Sequence, residues 1–315
     1  MTERVLVAGA TGVVGRALVP MLRDRGYHVT ALVREPSLTA GTDPDAVVVA
    51  DALDAQAVRS AVLSARPSVV IHLLSALRAS AAKGLEETAR LRTQGTGNLV
   101  AAAAAANARR IVAASIAFAT APAGGSVLTE DAGLYLEAPD PGWALTVRAV
   151  AEHERLALGT AGLSGIVLRY GTLYGPGTHY HPDGLIGSMV ARGKLPLPES
   201  AAGVTSFLHV EDAARAAVTA VEADAGGVFN VTDDEPSPAD VWVPEYARLL
   251  GAPAPRTVPS RMVERMLGWF TGYQLTAMRG GANGKARHVL GWQPSVPSWR
   301  AGLAASLVPS ETSVL

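Results

Sequence analysis

The stretch from Arg4 to Gly15 constrains this chain more than any other. Val5, Leu6, Val7 and Ala8 form a short apolar run of the kind that makes a strand buried on both faces. It leads directly into Gly9-Ala10-Thr11-Gly12-Val13-Val14-Gly15, and a helical pattern through Leu18, Val19 and Leu22 then stops at Gly26. A strand, a tight glycine turn and a helix N-terminus together hold a pyrophosphate between backbone N–H groups and the positive end of the helix. Glycine is required because a side chain would keep the phosphate away. The expected contacts are Gly9, Thr11, Gly12, Val13, Val14 and Gly15. A plain strand-to-helix turn is the competing explanation, since glycine-rich turns are common.

The next segment favours the nucleotide. Tyr27 to Val33 reads as a second strand and ends on Arg34, about 20 residues beyond the glycines, where an NAD site wants an acid for the ribose and an Arg suits the 2′-phosphate of NADP. The cofactor read from these residues is NADP(H), with a solvated loop charge as the alternative for Arg34. Val47 to Ala50 is a third strand, with Asp51 and Ala52 at its end placed for the adenine, although Asp51 also suits the start of a turn. Asp54 caps a helix to Ala65, and Ser68 to Leu74 is a fourth strand whose terminal Leu74, Ser75 and Ala76 lie beside the cofactor by the rule that ligands sit at strand ends. His72, inside that apolar strand, reads as a satisfied core histidine.

Helical pattern follows from Leu85 to Asn107, a fifth strand from Arg110 to Ser115, a long loop from Thr120 to Gly142, a helix from Trp143 to Leu158, and a sixth strand to Tyr170. This alternation predicts an α/β fold, a doubly wound parallel sheet of Rossmann type. Residues 1–170 form the nucleotide-binding domain, and 171–315 mainly a smaller substrate domain with some elements crossing back. A Met- and aromatic-rich stretch near 260–280, including Met266 and Phe270 and broken at Gly268 and Gly272, is either core or a two-helix lid hinged at those glycines.

Composition removes several function classes. A formal charge of -1 offers nothing to nucleic acid or to an anionic membrane. The absence of Cys excludes disulfides, thiolate metal sites and cysteine nucleophiles, and fits a cytoplasmic protein. The N-terminus enters the first strand at once, so no signal peptide is expected, and no apolar run reaches the roughly 18 residues of a membrane span. No residue pattern specifies an oligomeric state or a metal. His179 and His181 have a spacing that suits a metal, but no carboxylate cluster completes a site.

Five further motifs extend the argument nearly end to end: Gly95-Thr96-Gly97-Asn98-Leu99, Leu168-Arg169-Tyr170-Gly171-Thr172-Leu173-Tyr174-Gly175-Pro176-Gly177, Phe207-Leu208-His209-Val210-Glu211-Asp212, Ala213-Ala214-Arg215-Ala216 and Phe229-Asn230-Val231. With the glycine turn, these resemble the extended short-chain dehydrogenase/reductase family, which includes nucleotide-sugar epimerases and dehydratases. The resemblance implies a Rossmann domain with a C-terminal substrate domain and places Tyr170, Thr172 and Tyr174 near the nicotinamide. It also implies a Tyr-x-x-x-Lys pair on one helix, where the ammonium lowers the phenol pKa and the phenol exchanges a proton as hydride moves. Here Ala144 stands at the Tyr position and Arg148 at the Lys position; Arg148 remains able to hold ribose hydroxyls, or else forms a surface salt bridge.

The family's hydroxyl position on the fifth strand falls on Ile116, with Ser115 one residue earlier, and Arg92 replaces the usual Asn three residues before Gly95. The remaining proton donors are Ser115 and His181, with Ile116, Trp143, Tyr174, Met266 and Phe270 as the substrate surface. An Arg cannot act as acid or base, which argues against sugar epimerisation or dehydration. The combination resembles atypical members that reduce polycyclic aromatic polyketides, the angucyclinone ketoreductases of antibiotic biosynthesis. It implies an NADPH-dependent reduction of a ketone on a small-molecule substrate, a polycyclic aromatic polyketide, with the proton supplied by the substrate. An epimerase or dehydratase, and a dinucleotide-binding regulator without catalysis, are the alternatives.

Overall fold

A computed structural model describes residues 2–39, 41–76 and 81–307. Seven parallel strands, β1 (Arg4–Ala8), β2 (His28–Val33), β3 (Ala46–Val49), β4 (Val69–His72), β5 (Arg110–Ile116), β6 (Ser164–Tyr170) and β7 (Gly227–Val231), form one sheet. Their spatial order is β7-β6-β5-β4-β1-β2-β3. Val5 faces Val29 on one side and Val69 on the other, so the strand order reverses at β1. The crevice of a doubly wound sheet opens at that reversal, outside the carboxyl ends of the strands.

Helices cover both faces, as parallel strands without a wet side require. α1 (Val13–Asp24) buries Val14, Leu18, Val19 and Leu22 against Val5, Val7 and Ile71. The other face is covered by α2 (Ala55–Ala65), α4 (Thr96–Ala105) and the small side chains Ala61, Ala102 and Ala103. Asp54 caps α2 by accepting the N–H groups of Gln56 and Ala57. The helical pattern expected over Leu85 to Asn107 is interrupted: α3 (Ala81–Arg90) passes through a five-residue π turn, Leu91–Gly95, into α4. α5 (Pro141–Leu158) then leads to β6.

A second core forms beyond Tyr170. Strand Thr172–Tyr174 pairs with Phe207–His209 beside α6 (Leu185–Ala191). The chain then re-enters the first layer. α7 (Val210–Glu222) packs with α1 on one face of the sheet, and β7 adds its outermost strand beside β6. α8 (Ala239–Leu249), α9 (Ser260–Leu267), α10 (Trp269–Thr276) and α11 (Trp299–Ser306) complete the second lobe around Tyr174, Phe207, Trp242, Tyr246 and Trp299. Within the long loop from Thr120 to Gly142, Val127–Leu128 forms a short strand beside Gly280–Gly281. Among the described residues no helix is long and apolar enough to cross a membrane.

Candidate active site at the carboxyl end of the sheet

The glycine turn has the shape its sequence requires. Gly9 lies at φ +97°, and the N–H of Gly12 closes the turn onto the Gly9 carbonyl at 3.0 Å. A Cβ on Gly9 would stand 2.9 Å from the Leu73 carbonyl carbon, and one on Gly15 2.3 Å from the Gly9 oxygen, so neither position has room for a side chain. Gly12 caps α1 with no side-chain acceptor, and the first turn carries no acidic residue. The N–H groups around Val13, Val14 and Gly15 therefore have no internal anion competing for them. This cradle fits the pyrophosphate of a dinucleotide.

Arg34 extends from the end of β2, 67% exposed, with Glu87 of α3 at 3.4 Å. It is available to an added phosphate at the adenine end. Asp51 instead begins a turn, its carboxylate accepting the Leu53 N–H at 2.9 Å. Ala52 is buried and its carbonyl receives the Asn98 side chain. At the end of β4, the N–H of Leu74 donates to His72 Nδ1, that of Ala76 to Thr88 Oγ1 at 3.0 Å, and Ser75 is exposed. His72 is the core histidine expected: Nε2 meets Thr96 Oγ1 at 3.0 Å, and burial pushes its pKa down to about 4.

At the other end of the crevice α5 presents an apolar face. Asp140 caps α5 by accepting the Trp143 N–H at 2.7 Å. Trp143 and Val147, four apart, share the face turned toward Ile116 at the end of β5. Ala144 is also buried, but Arg148 is 59% exposed with Glu137 at 3.5 Å, and lines an outer hollow with Glu86 and Arg90. Of the expected pair, Ala144 thus lies inside the protein and Arg148 at its surface, while Trp143, Val147 and Val150 join the apolar cluster around Ile116.

Ser115 is likewise displaced from the substrate side. Successive strand residues point to opposite faces, so Ile116 joins the aromatic cluster while Ser115 donates to Glu154 Oε1 at 2.7 Å. Glu154 is itself held by a buried bidentate contact from Arg169, at 2.8 and 2.7 Å. Tyr170 donates its hydroxyl to the Ala213 carbonyl and Tyr174 to that of Ser298, and burial raises both phenol pKa values far above the usual range. Thr172 is buried in the ladder, its N–H donating to Ser206. His181 stands 3.7 Å from Asp183 in its own loop, and His209 caps α7. Among the described residues no group of three or more His, Asp or Glu side chains is placed to hold a metal ion.

An aromatic wall joins α5, α10 and the turn after β5. Phe118 stacks on Trp143 at 6.1 Å, Phe270 lies 4.6 Å from Trp143, and Trp269 stacks on Tyr273 at 5.0 Å. Tyr273 donates to the Thr120 carbonyl, so α10 seats directly on the loop after β5. Gly268, at φ +87°, separates α9 from α10. Gly272 breaks nothing: it lies inside α10, where a Cβ would meet the Glu264 side chain at 2.3 Å, so it permits close helix packing. Met266, 59% exposed, lines a groove with Met189, Arg192, Lys194 and Arg256, away from the wall.

Sequence reading assigned no role to two buried groups. His153 reaches Thr96 Oγ1 at 2.7 Å, and Arg92 is buried in the π turn. The substitution of Arg for the usual Asn was the available signal for the second.

Comparison with known proteins identifies the family and the fold. The sequence profile of the NAD dependent epimerase/dehydratase family matches residues 5–232. A 3-diazoavenalumate denitrifying reductase from Streptomyces sp is 62% identical over 303 residues, covering 95% of this chain and 99% of the relative. A 2-alkyl-3-oxoalkanoate reductase from Stenotrophomonas maltophilia is 28% identical over 87% of this chain and 82% of its own. Among solved structures, the Bordetella bronchiseptica enzyme WbmG in complex with NAD superposes with a TM-score of 0.76 at 19% identity, covering 98% of this chain and 93% of that one. The chain belongs to the NAD dependent epimerase/dehydratase family, the extended branch of the short-chain dehydrogenases/reductases.

Proposed function

We propose that this protein is an NADPH-dependent reductase of secondary metabolism that removes the diazo group from an aromatic acid as dinitrogen. The observation that carries this reading is the inner face of α5, where Trp143 and Val147 stand at the spacing of the family's acid pair. The ketoreductase chemistry of the family needs that pair because hydride addition to a carbonyl leaves an oxyanion to be protonated. An arenediazonium has no such requirement: hydride plus ArN₂⁺ gives ArH plus N₂, the C–N bond breaking as the new C–H bond forms, with no proton consumed. The name of the 62% identical relative, a denitrifying reductase of a diazo acid, supports the same reaction.

The bound dinucleotide supplies the hydride. This chain's residues hold and position it: the turn from Gly9 to Gly15 cradles the pyrophosphate, and Arg34 favours the 2′-phosphate of NADPH. Phe118 and Phe270, partly exposed and packed on the buried Trp143, supply ring surface for a flat aromatic cation, worth roughly 0.5–2 kcal/mol per good contact. Reduction of an aromatic polyketide ketone, with the proton supplied by the substrate, is the second reading. The same aromatic wall and the 28% identical oxoalkanoate reductase favour it.

Incubation with a carboxylated arenediazonium and NADPH deuterated at the transferable position tests the proposal. The expected result is release of N₂ with deuterium on the arene. Cofactor oxidation with a hydroxytetralone, and none with the diazonium, would move the assignment to the ketone.

A further inference from the structure

The wall that would receive the ring of an aromatic acid is apolar, so the acid's carboxylate needs a cation close to it. Arg148 stands on the outer surface, Arg169 is committed to Glu154, and Arg92 lies in the π turn behind the wall. Arg279 differs from all three. It is partly exposed and makes no hydrogen bond or ion pair with any described residue; its Nε is buried without a partner, while its two terminal nitrogens are not sealed.

The local backbone brings this cation to the wall. Arg279 follows Met278, which is buried with Trp143 and Tyr273 in the wall cluster. The Met278 carbonyl accepts the Val204 N–H at 2.8 Å and the Gly280 N–H donates to the Ser126 carbonyl at 2.9 Å, so the chain is fixed on both sides of Arg279. Two residues on, a Cβ at Gly281 would stand 3.1 Å from the Ala117 Cβ, in the turn between Ile116 and Phe118. Residues two apart in extended chain leave on the same side, which starts the Arg279 side chain toward that turn. Its charge is felt by the Tyr273 phenol, whose hydroxyl donates to the Thr120 carbonyl in the loop after β5. The acids of that loop are engaged elsewhere: Glu130 accepts the Asn230 N–H at 2.7 Å, and Glu137 faces Arg148 at 3.5 Å. A guanidinium partly withdrawn from water and lacking an acid of its own is suited to a ligand carboxylate, which it can hold through two parallel hydrogen bonds.

We infer that Arg279 binds the carboxylate of an aromatic acid whose ring rests on the wall, and so selects acids over neutral arenes. The inference rests on the proposed reading that this site takes an aromatic acid, and it adds an orientation: like-charge repulsion turns a diazonium group away from Arg279.

The test needs no diazo substrate. Cinnamate and cinnamamide, which share a flat ring and differ in charge, are titrated calorimetrically into wild type and Arg279→Met, each saturated with NADP⁺. Loss of a charge-assisted hydrogen bond predicts about tenfold weaker cinnamate binding in the variant, with cinnamamide unchanged. A wild type with no measurable preference for the acid, or a variant that weakens both ligands equally, overturns the inference. Arg279→Lys, which keeps the charge with fewer donors, is expected to retain part of the preference, and a folded Lys variant with none also counts against it. The reaction is judged separately. A wild type that prefers the acid through Arg279 yet releases no N₂ from a diazonium sinks the proposed reaction and leaves this contact standing, whereas N₂ release without the preference does the reverse.

Discussion

The two halves of the crevice are built from different materials. At the pyrophosphate end the work is done by main chain: Gly9, Gly12 and Gly15 expose N–H groups, and no side chain is needed. At the nicotinamide end everything depends on side chains, with Trp143, Val147 and Ile116 in front and Ser115, Glu154, Arg169, His72 and His153 in a buried polar layer behind. The first half is dictated by sterics that any nucleotide-binding relative must obey. The second is free to change chemistry while the sheet stays the same, which is how one fold comes to host unrelated reactions.

If the polar layer is a support for the wall, its loss should cost stability before it costs chemistry. Arg169→Met strands the buried Glu154 carboxylate and is expected to destabilise the fold by about 3–5 kcal/mol. Chemical denaturation with an unchanged slope measures this; a loss below about 1 kcal/mol would show that Glu154 finds another partner or a proton.

A smaller effect follows from pH. His72 titrates near 6.5 when unfolded and at about 4 when folded, because burial disfavours its charged form. The unfolded chain therefore binds more protons between those values, and stability rises with pH from about 4 to 6.5, by up to roughly 3 kcal/mol. Denaturant midpoints at pH 5 and 7 should show the rise, and His72→Asn should flatten it. An unchanged slope would shift the cause to His153, which burial also holds neutral.

The smallest effect lies at the exposed end. Arg34→Asp is expected to move preference from NADPH toward NADH by about tenfold, near 1.4 kcal/mol, measured as the ratio of the two Kd values. An unchanged ratio would place the 2′-phosphate elsewhere.

What was legible in the sequence follows the same division. The glycine turn, the parallel sheet and the aromatic stretch could be read because spacing alone encodes them. The inward face of α5 could not: several pairs four apart, Ala144/Arg148 and Trp143/Val147 among them, have identical spacing, and only the neighbouring Ile116 shows that Trp143 and Val147 pack on the end of β5. The partner of Ser115 was hidden for a related reason, since the alternation that brings Ile116 to the wall turns Ser115 onto Glu154. Gly272 looks like a hinge in sequence, and becomes a packing contact only once Glu264 is seen beside it. Tyr170 and Tyr174 carry hydroxyls suited to a cofactor, yet carbonyls from later parts of the chain claim them.

The short parallel ladder between Val127–Leu128 and Gly280–Gly281 sets an order of assembly. It joins segments that lie far apart in the chain, so its closure entropy is recovered only once the sheet between them has formed. The glycine turn, in contrast, closes locally through the Gly12 N–H on the Gly9 carbonyl, and abuts Leu73 after β4. Its smaller separation in sequence predicts that the nucleotide cradle forms before the aromatic wall. A dinucleotide present at that moment would bind the half-made protein and draw the remainder of the fold toward completion.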